Sequence, residues 1–248
     1  MTCPHCKSTH TIKNGSNRDG SVRLRCRDCL KSFGTGQIFV KKNIKPFKEL
    51  TTLEKYQRKF EFYKTKVDIS KISAIKEKHK NYRENKDLIL EIELVPSSCW
   101  WTNIRSNVKE SEWNRIRFVT GGLADFKCEI CGERGTRHPV ECHEVWVYNE
   151  RKKTQTLLKF QCICPLCHIT KHLGLSLILD SYERSVERFT ELNNLTSTKA
   201  KKLIDQTFKQ HKVRSRTKWK LDISLLSNYN IILDKIDREE IDYDLIDL

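Results

Sequence analysis

The sequence predicts an α+β chain assembled from small units. These are a cysteine-paired ribbon over residues 1–36, a basic helical linker or arm over 37–91, a hairpin-and-helix core over 92–178, and a helical region with an acidic tail over 179–248. Three observations carry this reading. Eight of the 11 cysteines fall into four C-x2-C pairs, the spacing that grips a metal between two turns. Hydrophobic residues make up 38% of the 248 positions against 32% charged, which favours several small units over one large core. Two β-rich runs, Val140–Tyr148 and Gln155–Ile163, flank the polar stretch Asn149-Glu150-Arg151-Lys152-Lys153, and Pro165 then stands at a natural first helical position.

Composition narrows the class further. No apolar stretch near Met1 reads as a signal peptide and no run is long enough to span a membrane, so the expectation is a cytoplasmic protein with no membrane partner. In that setting paired cysteines favour zinc over disulfides. Cys99, Cys142 and Cys162, outside the pairs, read as small buried hydrophobes. The net charge of +15 is uneven: residues 1–87 hold 22 Lys/Arg against 9 Asp/Glu, and residues 88–248 hold 25 against 23. A basic first third on a nearly neutral remainder is the footprint of a polyanion-binding segment.

The ribbon pairs Cys3 and Cys6 with Cys26 and Cys29 across nineteen residues, room for a hairpin with turn signals at Asn14-Gly15 and Asp19-Gly20. So small a unit draws its stability from the metal. The strand period of two sets Arg23, Arg25 and Arg27 on one face, where three guanidiniums suit successive phosphates of a nucleic acid. The CPxC start, the RxRCRxC second knuckle and Lys31-Ser32-Phe33 resemble the N-terminal ribbons of some bacterial transposases. Beyond it, Thr51-x-x-Glu54 is a capping box for a helix carrying Leu53, Tyr56, Phe60 and Tyr63. A second helix is expected from about Ile69, with Ile72, Ile75, His79 and Tyr82 along one side. Asp87–Val95 alternates as a strand that Pro96 ends. Residues 181–192 and 198–213 read as helices, and the acidic last fifteen residues as a flexible or loosely docked tail.

The chemistry concentrates between residues 128 and 172. Cys128, Cys131, Cys164 and Cys167 already supply the four ligands of a closed structural zinc site, so His143, His168 and His172 are surplus to it. On a helix begun at Pro165, His168 and His172 stand four apart and present both imidazoles to one point. His138, before Pro139, reads as a loop residue. Trp100, Trp101, Trp113 and Trp146 read as core aromatics.

These residues resemble the HNH endonuclease family, whose core is the ββα-metal fold. The matching stretches are Cys128-Glu129-Ile130-Cys131-Gly132, Glu141-Cys142-His143-Glu144-Val145-Trp146, Gln155-x-Leu157, and Cys164-Pro165-Leu166-Cys167-His168-x3-His172-Leu173-Gly174. Leu94-Val95-Pro96-Ser97, Cys99-Trp100, Trp113-x-x-Ile116-Arg117 and Trp219-x-Leu221-Asp222 extend the likeness to one bacterial branch, over roughly residues 92–228. The resemblance implies hydrolysis of DNA phosphodiesters. It implies two structural zincs in all and one catalytic divalent cation (magnesium, manganese or zinc) held by His143, His168 and His172. The catalytic pair it implies is His143 with Glu144. One register makes His143 the ligand and Glu144 the base. Shifting by one makes His143 the base and Cys142 the ligand, and Glu141 is a third contributor. Lys159 and Gln155 fall near the family's middle amide. A transposase-like ribbon on such a core suits a phage or mobile-element setting. The rival from another class is a non-catalytic, zinc-stabilised DNA-binding regulator.

Overall fold

The structure, a computed structural model, describes residues 1–17, 21–38, 50–136 and 138–233. The expected acidic tail and residues 39–49 of the Lys-rich stretch lie outside the described residues. The chain divides at Leu50 into two compact units.

The first unit is a three-stranded antiparallel sheet in the order β1 (Thr11–Ser16), β2 (Ser21–Cys26), β3 (Ser32–Ile38). Its two knuckles are built alike. The amide of Cys3 donates to Ser8 O and that of Cys26 to Lys31 O, and the residue after each second cysteine, Lys7 and Leu30, takes a positive φ near 60°. This tight turn is what brings two sulfurs together at C-x2-C spacing. Arg23 and Arg25 do share the exposed face of β2, but Arg27 falls in the turn beyond it. The strand ends at Cys26 because the knuckle begins there, so the predicted row of three on one strand is a pair plus a turn residue.

The second unit opens with α1 (Thr52–Lys64), whose Thr51–Glu54 capping box makes both reciprocal bonds, and α2 (Ile69–Lys78), capped by Asp68. Residues 50–91 are thus part of the second unit and not a separate linker. Tyr56 and Tyr63 pack on Phe118 of α4 (Glu110–Gly122), which follows the short α3 (Ile104–Asn107). At Gly122 a Cβ would lie 2.2 Å from the Phe60 ring, so the glycine is what lets α1 approach α4.

The expected strand over Asp87–Val95 does not form. The alternation holds, with Leu88, Leu90 and Ile92 buried, but the backbone finds other partners. Asn193 accepts from the amides of Ile89 and Leu90 and donates to Leu90 O, while Glu93 N donates to Lys171 O. A side-chain amide and a helix end take the place of a neighbouring strand.

The hairpin comes out close to its predicted bounds, as β4 (Glu141–Asn149) and β5 (Thr154–Ile163) with an antiparallel register that sets His143 opposite Gln161. A bulge lies between Val145 and Trp146. Next come α5 (Pro165–Lys171), α6 (Leu173–Ile178), α7 (Tyr182–Leu192) and α8 (Ser197–Arg214), then β6 (Lys220–Asp222), which joins β5 in parallel. The largest apolar cluster gathers Ile72, Ile104, Ile116, Leu157, Phe160 and, from the far end of the chain, Leu225, Leu226, Tyr229 and Ile231. Trp113 and Trp146 pack against it, whereas Trp100 and Trp101, expected in the core, are 59% and 47% exposed. They sit on a 3-10 helix over Ser97–Thr102 that turns Cys99 and Thr102 inward instead.

Candidate functional site

Three ligand clusters emerge among the described residues: Cys3, Cys6, Cys26, Cys29; Cys128, Cys131, Cys164, Cys167; and His143, His168, His172. Within each, the candidate ligand atoms all lie within 4.8 Å of one another. A tetrahedral zinc with Zn–S of ~2.3 Å sets its sulfurs ~3.8 Å apart. The Sγ–Sγ distances of 3.6 Å (Cys3–Cys29), 3.5 Å (Cys6–Cys26) and 3.7 Å (Cys131–Cys164) fit that cage and are far too long for disulfides. Both cysteine clusters are therefore compatible with zinc.

The second cluster is assembled from unlike halves. Cys128-x2-Cys131 is a knuckle of the ribbon type: Cys128 N donates to Glu133 O, Gly132 N to Cys128 O, and Gly132 has φ +79°. Cys164 instead caps α5, its sulfur 3.5 Å from Cys167 N. Four sulfurs around a dication carry excess negative charge, and Arg188 from α7 meets it. Its guanidinium lies against the sulfurs of Cys167 and Cys131 and pairs with Glu133 at 2.7 Å.

The three histidines come from β4 and from α5 with its C-cap. Their ring centroids are 4.8–5.2 Å apart. His168 sits on α5 and His172 is its cap residue, so the (i, i+4) relation brings both rings toward His143. Each strand-side partner is a carboxylate. Glu93 Oε2 is 2.8 Å from His143 Nε2, and Glu141 Oε2 is 2.5 Å from His168 Nδ1. A carboxylate accepts, so each bonded nitrogen carries the proton and the opposite ring nitrogen keeps a lone pair for a cation. Burial pushes His143 down to about 4 and, with the neighbouring imidazoles, His172 well below its usual value. Both rings are thus neutral at pH 7, the form a cation needs.

The carboxylates are held in the ionised form. Burial would push Glu93 up, but Lys171 and His143 outweigh it and keep the acid well below the usual range. Glu93 and Lys171 form a close ion pair. The hydrogen bond from His168, working against burial and aided by His138, lowers Glu141 to about 2. His138, read as a loop residue, places Nε2 2.8 Å from Glu141 Oε1, which extends the array as His138–Glu141–His168.

Glu144 does not join the histidines. It points to the opposite side of β4, and the bulge comes one residue too late to turn it round. Its carboxylate accepts from the amides of Ile104 and Arg105 at the start of α3 and from Trp146 Nε1. Burial raises it to about 7. Cys142 likewise faces the apolar cluster, and burial raises its thiol. Lys159 is buried, with its ammonium 2.7 Å from His79 O and 3.3 Å from Lys80 O at the end of α2. Gln155 bonds Thr102 and Tyr148. All four have structural partners that account for them. Glu93 is the site residue the sequence reading missed. Its signal is one of two acids, Glu91 and Glu93, on the polar side of an apolar alternation, which any exposed strand edge would also show.

No protein-family model, curated protein or solved structure matches the chain. Among the described residues no helix is long and apolar enough to cross a membrane.

Proposed function

We propose that the protein is a metal-dependent DNA endonuclease of the HNH type. The observation that carries this reading is the third cluster: three histidines gathered on a hairpin and helix beside a cysteine cage that already has its four ligands. A structural zinc has no use for them, whereas a catalytic cation needs few protein ligands and an open position. His143 is 3% exposed and His168 25%, so the cluster opens to solvent on the α5 side.

The chemistry such a cation supplies when bound is charge stabilisation at a phosphoryl oxygen and at the departing 3′ oxygen. The chain's own residues do the rest. Glu93 and Glu141 hold His143 and His168 in one tautomer each, and Lys171 keeps Glu93 ionised. The base role that the resemblance gives to a residue of β4 does not suit Glu144, which is committed to α3. Glu141 is engaged as well, by His138 and His168, and orients His168 for the cation. The ribbon, with Arg23 and Arg25 exposed, adds affinity for DNA through phosphate contacts.

A plasmid nicking assay with magnesium, manganese, zinc or a chelator tests this. The wild-type chain should cut only with a cation, and His168→Ala should lower the rate by about a thousandfold with its melting temperature unchanged. Duplex binding without cutting under any cation would instead identify a DNA-binding regulator.

A further inference from the structure

The second unit carries a basic surface outside the histidine cluster that the charge count conceals, because residues 88–248 are nearly neutral as a whole. At the tip of the β4–β5 hairpin, Arg151, Lys152 and Lys153 are all exposed. Lys220 N donates to Lys153 O at 2.7 Å, which fixes β6 and the loop before it beside that tip. From this loop Arg216, Lys218 and Lys220 are exposed as well. None of these six cations has a carboxylate within ion-pair distance among the described residues. The acids of the same stretches are committed elsewhere. Glu150 bonds Arg214 at 2.9 Å, and Asp222 accepts from Thr156 and from Ser224 N. Six cations with no ion pair among the described residues repel each other on one edge.

Two large aromatics border the same edge. Ser97 N donates to Ser215 Oγ at 3.0 Å and Ser98 Oγ to Thr217 O at 2.8 Å, so the 3-10 helix bearing Trp100 and Trp101 is bonded to the loop bearing Arg216 and Lys218. Both tryptophans are about half exposed, a placement that costs apolar hydration and calls for a partner with flat apolar faces among charges.

We infer that this edge is a duplex-DNA contact surface of the second unit, independent of the ribbon. The cations take phosphates and the tryptophans lie against sugar and base edges. The inference rests on the proposed endonuclease reading for its choice of DNA among polyanions. The geometry supports that choice: Asn149 lies six positions along β4 from His143, a span of ~20 Å, which matches about six base pairs of a duplex lying along the hairpin. Contacts at that distance would hold the duplex in line while a phosphate meets the histidines.

The test is fluorescence anisotropy of a labelled duplex with the full His168→Ala chain without added cation, titrated at several salt concentrations. The ribbon is then common to every variant. Replacing Arg151, Lys152 and Lys153 with alanine should flatten the log–log salt slope by ~2.7, at ~0.9 per phosphate contact. Trp100→Ala with Trp101→Ala should weaken binding by about tenfold and leave the slope unchanged, since no charge is removed. The melting temperature of the triple variant should stay at the parent value, because those three exposed side chains have no hydrogen bond or ion pair among the described residues. An unchanged slope in the triple variant overturns the inference. So does binding to phosphatidylserine vesicles that the triple variant loses while its duplex affinity stays intact, because the surface would then belong to a membrane. The outcome is separate from catalysis: a chain that binds through this edge and never cuts refutes the endonuclease and leaves the surface standing.

Discussion

In the ribbon the cysteine cluster is the interior. Among its described residues only Cys3, Ser21, Val22 and Cys26 are buried, while Ile12 and Leu30 are exposed. In the second unit the same ligand set is one element of a packed protein. Cys128, Cys164 and Cys167 lie in an apolar cluster with Leu90 and Ile163, and three further clusters surround it. A sheet of three short strands buries too little apolar area to offset its conformational entropy, so a ribbon of this kind calls for a metal of the sort its four cysteines could hold. Where packing carries most of the folding, further ligands can be held for other work. The histidines of β4 and α5 sit on such a scaffold, which can keep three imidazoles and two ionised carboxylates in place.

The largest effect expected from this contrast concerns the two cages. Cys26→Ser should unfold the ribbon completely, with hydrogen-exchange protection lost on all three strands, since structural zinc contributes on the order of 10 kcal/mol in such units. Cys167→Ser should open the second unit locally, around α5 and the end of β5, while α4 and Phe160 keep their protection. Global unfolding in both variants would erase the distinction, and would show that the apolar clusters cannot hold the second unit without its metal.

A smaller effect should follow at the histidine cluster. Glu93→Gln removes the negative charge that faces His143 and leaves Lys171 without its counter-charge. Cation affinity, read by isothermal titration with manganese, should fall by about 10- to 100-fold, with a modest change in melting temperature. Equal affinity in the variant would mean that Glu93 serves only to anchor the extended segment to α5.

The smallest expected effect is at Glu144. Its carboxylate caps α3, so Glu144→Ala should cost about 1 kcal/mol by denaturant titration, with cleavage retained. Loss of cleavage in a folded variant would restore Glu144 to the chemistry and break the division between the two faces of β4.

Local signals in the sequence carried much of this. Thr51 and Glu54 stand three apart and cap α1 as their spacing requires. The β-forming residues of Val140–Tyr148 and Gln155–Ile163, with a polar stretch between, place the hairpin within a residue or two of its ends. The C-x2-C pairs and the four-residue step from His168 to His172 located all three ligand clusters. Relations between distant residues were out of reach. Glu93 acts through partners 50 and 78 positions away, and nothing near it in sequence sets it apart from Glu91. Its segment was read as a strand because alternation reports which side chains are buried, and it says nothing of where the backbone bonds go. Trp100 and Trp101 were placed inside on residue type alone, but the 3-10 turn that carries them spends its inward positions on Cys99 and Thr102. The base role of Glu144 comes from the family resemblance alone, and neighbours on a strand face opposite ways.

The main apolar cluster draws on both ends of the second unit, with Ile72 from α2 meeting Leu225, Leu226, Tyr229 and Ile231. This has a consequence for synthesis on the ribosome. The ribbon can take up zinc as soon as Ile38 has left the exit tunnel. The second unit cannot close its interior until Ile231 has followed, about 190 residues later and on the order of 10–40 s at bacterial to eukaryotic elongation rates. During that interval the three histidines have no assembled site, whereas the four cysteines of the ribbon can already be gathered.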